Sequence, residues 1–219
     1  MVAAAKAYRG MGMEGSVARW YDRTTRKDMP EFESLAVRIA ALVPQSGAVL
    51  EVAPGPGFLS IELAKRGLDV LAVDISKTFV ELARHNAAAA GVKVRFEVGN
   101  AAALPVADAS QSFVVCRAAF KNFAEPVEAL REMGRVLRPG GTVLLIDMRR
   151  DASMADIGRY VDGLGVSWLN RVFMMMTFRL MLIKRAYPIG DVHRMTAQAG
   201  WGNSRIDTNP IGFEAWMTK

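Results

Sequence analysis

The chain has 219 residues, enough for one α/β domain with a substantial core, and its 51% hydrophobic and 23% charged content is that of a globular protein. One cysteine, Cys116, excludes an internal disulfide framework and fits a reducing, cytoplasmic compartment; with two distant histidines it also leaves no metal site to expect. The formal charge of +6 is concentrated, with +3 in residues 1–30, +4 in residues 149–185 and −1 elsewhere, and no Lys/Arg stripe interleaved with aromatics speaks for nucleic acid.

Residues 1–15 are small and Gly/Met-rich, which predicts a mobile start without a secretory signal. The aromatic pair Trp20-Tyr21 precedes a helix from about Glu31 to Val43, opened by Pro30 and carrying Phe32, Leu35, Ile39 and Leu42 on one face. Ala48 to Val52 then reads as a short apolar strand, Ala53 to Gly57 as a Pro/Gly turn, and the residues from Phe58 as an amphipathic helix. A strand, a glycine turn and a helix in that order form a nucleotide-binding corner, because glycine lets the backbone approach a ligand and the helix start has free N–H groups. Asp69 to Val73 predicts a second strand ending at Asp74, where a carboxylate can accept both hydroxyls of a ribose.

A helix follows from Lys77 to about Ala90, then a strand over Val92 to Val98 and a Gly99-Asn100-Ala101 loop. Phe113 to Cys116 makes the next strand. Its loop, Arg117 to Phe123, should face the ligands, since open parallel sheets bind at the carboxyl ends of their strands. Arg117 and Lys121 there are either holders of an anionic group or a solvated pair. Glu125 to Leu137 predicts a helix that Arg138-Pro139-Gly140-Gly141 ends and turns sharply into a strand over Thr142 to Ile146.

The pattern Glu51-x-Ala53-x-Gly55-x-Gly57 lacks the third glycine of the dinucleotide fingerprint. It resembles the first motif of the class I S-adenosylmethionine-dependent methyltransferases, and Leu137-Arg138-Pro139-Gly140-Gly141 before an apolar strand extends the resemblance toward the quinone-methylating branch. The resemblance implies a Rossmann-like α/β fold: a seven-stranded, mostly parallel sheet with an antiparallel last strand, helices on both faces and a helical cap insertion. It implies S-adenosyl-L-methionine as cofactor, held by Glu51, Ala53, Gly55 and Gly57 at its amino acid end and Asp74 at its ribose, with Ile75, Asn100 and Ala101 around its adenine and Arg117 nearby. The family usually has aspartate where Asn100 stands, and an Asn carbonyl oxygen can accept in its place. Trp20, Tyr21, Lys121, Phe123 and Met175 are the candidates for contact with the methyl acceptor.

One domain is expected over 1–219, divided into an N-terminal segment or cap (1–30), a cofactor-binding core (31–148), a helical cap insertion (149–187) and a last helix with a closing hairpin (188–219). Residues 164–183 are nearly all apolar, but Asn170, Arg171 and Arg179 argue against a membrane span. They remain open as a cap over an apolar substrate with Met174, Met175 and Met176 as an adaptable wall, as a homodimer or membrane-surface helix, or as plain core. No general base is legible, and His85 and His193 read as structural. Methyl transfer from a sulfonium asks mainly for positioning and desolvation, so a methyltransferase acting on a small apolar molecule is compatible with that gap. The other reading is a cofactor-binding module that regulates or scaffolds a partner without catalysis.

Overall fold

Strands buried on both faces need no polar side, which is why the apolar runs of this chain become a central parallel sheet. The computed structural model describes residues 8–9, 12–45, 47–163, 168–177 and 183–219. Its strands are β1 (Ala48–Val52), β2 (Asp69–Asp74), β3 (Arg95–Val98), β4 (Gln111–Arg117), β5 (Leu137–Met148), β6 (Ser204–Thr208) and β7 (Gly212–Thr218). They form one seven-stranded sheet in the order β3-β2-β1-β4-β5-β7-β6. All neighbours run parallel except β7, which is antiparallel to both β5 and β6.

The helices are α1 (Gly15–Thr25), α2 (Met29–Ala40), α3 (Phe58–Lys65), α4 (Lys77–Ala89), α5 (Pro126–Val136), α6 (Met154–Gly163), α7 (Trp168–Thr177) and α8 (Ile189–Gln198). α2 and α3 pack on one sheet face through Phe32, Leu35, Ile39 and Leu63 against Val49, Phe113 and Leu144. α4 joins them through Val80, Ala83 and Ala87 against Ala72 and Phe96. α5 and α8 cover the other face, where Leu130, Met133 and Val192 meet Leu50, Val114 and Leu145. Ser76 caps α4 by accepting from the Phe79 N–H at 3.1 Å.

Four local expectations change. The part of residues 1–15 that is described is tied down: Arg9 N donates to Asn122 O at 2.8 Å, and Ser76 Oγ to Met13 O at 2.8 Å. α1 is an additional helix, whose buried residues are Ala18, Asp22 and Thr25. β3 begins at Arg95, so the residues from Val92 to Val94 approach the sheet without pairing in it. The Pro-Gly-Gly phrase does not turn away from the sheet. α5 gives way directly to β5, and residues 138–141 bulge out between the pairs Gln111–Leu137 and Phe113–Thr142, with Gly140 at φ +76°.

α6 and α7 pack on each other: Ile157 and Val161 of α6 cluster with Ile183, which follows α7 in the chain, and Met174 and Met175 of α7 lie against the same cluster. Met148 and Ile211 join that cluster, which places it over the carboxyl end of β5. Residues 164–167 and 178–182, Arg179 among them, lie outside the described residues, as do the side chains of residues 169–171, 173 and 177. No helix among the described residues is long and apolar enough to cross a membrane.

Candidate functional site

The glycine turn leaves β1 in an unusual backbone conformation. Ala53, Gly55 and Gly57 stand at φ +59°, +56° and +82°. A left-handed alanine is strained by about 1–2 kcal/mol, so Ala53 is held there by its surroundings, including its own N–H donating to Val73 O at 2.8 Å. The two glycines do different work. A Cβ on Gly55 would meet only the Tyr21 ring, at 3.9 Å, and otherwise project into open space. A Cβ on Gly57 would lie 2.9 Å from both Ala83 Cβ and Phe96 Cζ, so glycine there lets the turn seat on α4 and β3 rather than admitting a ligand.

Two carboxylates flank this turn. Asp74, at the end of β2, is buried; its Oδ2 accepts from Gly55 N at 3.0 Å and its Oδ1 from Ser76 N at 2.9 Å. Burial raises its pKa, against the lowering effect of those backbone bonds. Glu51 is buried inside β1 and accepts from the Ser60 hydroxyl. Burial pushes its carboxyl up to about 7, because Ser60 and the positive charge of Arg117 offset only part of the desolvation. Ile75 and Val98 expose apolar surface at the carboxyl ends of β2 and β3. Asn100 is half-buried, and its Oδ1 accepts from Ala102 N at 3.0 Å, which shapes the loop carrying Ala101.

The carboxyl ends of β4 and β5 form the other half of the cleft. Both cations expected there are compensated within the chain. Arg117 donates to Glu31 at 2.7 Å and lies over the Phe32 ring at 4.5 Å. Lys121 Nζ donates to Asp147 Oδ1 at 2.7 Å and to Ala118 O at 2.6 Å, and Asp147 Oδ2 accepts the Lys121 N–H at 2.9 Å. Asp147 is thus the anchor of the loop, and Lys121 is a brace for it rather than a free anion holder. Phe120 meets Phe123 edge-on and Tyr187 at a tilt, with ring centres 5.8 Å and 5.6 Å away.

α1 separates the predicted aromatic pair. Adjacent helical residues point about 100° apart, so Tyr21 reaches over Gly55 and packs edge-on to Phe79 at 5.7 Å, while Trp20 is exposed on the outer face. Before α1, Tyr8 bridges Phe123 in the β4 loop, and Glu14 accepts from Thr78 Oγ1 at the start of α4. Sequence reading missed Ser60, which meets Glu51 within the same strand–turn–helix unit, and Asp147, Tyr8 and Tyr187, which are tied to the site through contacts distant in the chain. A broad cavity of about 1020 Å³ lined by Phe113, Arg138, Gly141, Arg205 and Trp216 lies instead at the amino ends of β4 and β5, the wrong end of a parallel sheet for this chemistry.

Residues 50–145 match the family model described as a methyltransferase domain. A demethylmenaquinone methyltransferase of Deinococcus radiodurans is 39% identical over 120 residues, 54% of this chain and 50% of that protein. Another, from Roseiflexus castenholzii, is 27% identical over 190 residues, 81% of this chain and 77% of its own. The chain spans about half the length of the first curated relatives it matches. Over its cofactor-binding core the chain is similar to the S-adenosylmethionine-dependent methyltransferases. The fold agrees: a solved methyltransferase from Methanococcus maripaludis, described as S-adenosyl-L-methionine-dependent, superposes with a TM-score of 0.73 at 20% identity, covering 96% of this chain and 95% of that one.

The cofactor of this methyltransferase fold is S-adenosylmethionine, and the residues present fit it. A buried Glu51 carboxyl with no cation bonded to it suits an ammonium. The open space above Gly55 and the exposed Ile75 suit, respectively, a close-lying chain and a flat apolar ring. The Cys116 thiol, buried beside these groups and pushed well up by desolvation, stays a neutral packing element.

Proposed function

We propose that this chain transfers a methyl group from S-adenosylmethionine to a small, apolar, quinone-like ring. The observation that supports the acceptor class is the compensation of Arg117 by Glu31 and of Lys121 by Asp147, over a floor in which Phe120 and Phe123 are buried and Tyr187, whose hydroxyl accepts from Arg9, is partly exposed. The names of the quinone-methylating relatives support the same class. When bound, the cofactor supplies an activated methyl on a sulfonium. In this reading Asp74 accepts from the ribose hydroxyls, Glu51 balances the ammonium, Ile75, Asn100 and Ala101 surround the adenine, and Tyr21 and the α6–α7 pair exclude water. Phe123 and Met175 line the acceptor side. The chain's contribution is then alignment and a dry site, with no proton relay required for a weakly acidic or enolic acceptor.

Calorimetric titration with S-adenosylhomocysteine tests the cofactor assignment. Asp74→Ala should weaken binding about tenfold or more, as loss of a charge-assisted hydrogen bond does. Unchanged affinity would sink the ribose role of Asp74. Tight binding without methyl consumption in the presence of quinone-like acceptors would favour a non-catalytic module.

α7 exposes Trp168, Val172 and Met176, which recur every four residues, and it belongs to a segment whose net charge is +4. That combination supports a peripheral contact with an anionic membrane surface, where an apolar acceptor would partition. The chain should sediment with vesicles rich in anionic lipid, be released by salt, and ignore neutral vesicles. Recovery in the supernatant under all three conditions would remove the membrane and leave the exposed face to a second copy of the chain.

A further inference from the structure

The glycine turn is gripped by a polar cluster buried between α1 and α4. Asn86, on α4, donates one amide proton to Pro56 O at 3.0 Å and the other to Asp22 Oδ1 at 2.8 Å. Its own oxygen accepts from Arg26 Nη2 at 2.8 Å, and the same nitrogen reaches Asp22 Oδ2 at 3.1 Å. Asn86 and Asp22 are each only 7% exposed, so the partners are fixed rather than shared with water. The Arg26 guanidinium lies over the Phe58 ring at 5.2 Å, at the first residue of α3.

Pro56 stands between Gly55 and Gly57, and a peptide group is planar, so fixing its two ends fixes its orientation. Gly57 N donates to Pro54 O at 3.1 Å, which holds the N–H end of the Pro56–Gly57 peptide. Asn86 holds the carbonyl end. No apolar residue at position 86 could do this, and neither could an ionised carboxylate, which has no proton to give. The neighbouring turns of α4 supply the rest of the seat: Ala83 against Gly57, and Phe79 against Tyr21.

We propose that Asn86 is a positioning residue for the cofactor, acting through its hydrogen bond to the Pro56 carbonyl, and that Asp22 and Arg26 serve chiefly to tie α4 to the end of α1. This rests on the glycine turn being the cofactor's seat. The cluster does double duty, since it also joins α1 to α4, and a test must separate joining from positioning.

Three variants do so, each followed by thermal unfolding and by calorimetric titration with S-adenosylhomocysteine well below its own melting point. Asp22→Asn leaves the Asn86–Pro56 bond in place. It should lower the melting temperature while leaving affinity within about twofold of wild type. Asn86→Asp removes the bond to Pro56 and sets two carboxylates face to face, and should lose both stability and about tenfold in affinity. Combining Asp22→Asn with Asn86→Asp restores a donor–acceptor pair between α1 and α4 with its sense reversed and keeps Arg26 between one carboxylate and one amide. That double variant should regain most of the melting temperature yet stay about tenfold weaker for the ligand, because Pro56 is still unpaired.

If the double variant binds as tightly as wild type, or if Asp22→Asn alone weakens binding as much as Asn86→Asp does, Asn86 is merely a strut and the proposal falls. If the double variant stays unstable, the comparison of the two single variants still decides. A wild-type chain that does not bind S-adenosylhomocysteine overturns the cofactor seat as well, an outcome distinct from loss in the variants alone.

Discussion

Gly57→Ala should cost the chain roughly 2–4 kcal/mol of stability, while Gly55→Ala, two residues away, should cost about 1 kcal/mol and instead destroy ligand binding. At position 57 two penalties add. The backbone sits at φ +82°, where a side chain is strained, and the new methyl would stand 2.9 Å from Ala83 Cβ and Phe96 Cζ, in a seat packed from α4 and β3. Neither neighbour is the loose end of a flexible side chain, so the turn or the helix must shift. At position 55 the strain is similar, at φ +56°, but the methyl meets nothing closer than the Tyr21 ring at 3.9 Å. It would occupy the space a bound ligand needs. Thermal unfolding should therefore show a drop of about 10 °C for Gly57→Ala and only a few degrees for Gly55→Ala. Titration with S-adenosylhomocysteine should reverse the ranking once each is measured in its folded range. Wild-type affinity in Gly55→Ala would mean that no ligand approaches the turn there.

Binding should also depend on pH through Glu51. Its carboxyl is raised from 4.5 to about 7 by burial, with Arg117 and Asp74 acting in opposite directions on it. A cationic ammonium placed against it favours the ionised form, so the pKa falls on binding and a proton is released below neutrality. Affinity should then weaken roughly tenfold between pH 7.5 and pH 6 in wild type, and Glu51→Gln should bind less tightly but without that slope. The same shift has a consequence for folding. In the free chain the folded state holds this proton to higher pH than the unfolded state does. Its stabilising effect is complete below pH 4.5 and is lost as pH rises through about 7, a difference of about 3 kcal/mol. Glu51→Gln should therefore gain on wild type in thermal unfolding as pH rises over that window. Parallel pH profiles for the two proteins would show that Glu51 does not titrate there.

The fold was legible where burial is two-sided. β1, β2 and β4 read as apolar runs because both of their faces are covered, and β6 and β7 form the closing hairpin expected within 188–219. α1 was not legible because two of its three buried residues are polar. Asp22 and Thr25 break the apolar period that marks a helix, and they are tolerated inside only because Arg26 and Asn86 meet Asp22. The start of β5 was missed for another reason. Pro and Gly signal a turn locally, but a bulge on a strand uses the same residues, and only pairing with β4 and with the end of β7 tells them apart. At the site, local motifs gave Glu51, Gly55, Gly57 and Asp74. They gave no hint that Lys121 is neutralised by Asp147, 26 residues on, or Arg117 by Glu31, 86 residues back, since both depend on which strand ends and helix starts the topology brings together.

The sheet is open, so it has two rims, and each is ill suited to receive another strand. β3 at one rim is only four residues long and begins with Arg95, which pairs with Asp69 at 3.3 Å. β6 at the other carries Arg205 and Asp207 in an ion pair at 3.0 Å. Short, charged rims discourage the edge-to-edge stacking by which sheets of separate molecules fuse into aggregates. Any self-association of this chain is thereby steered away from the sheet and toward its helices.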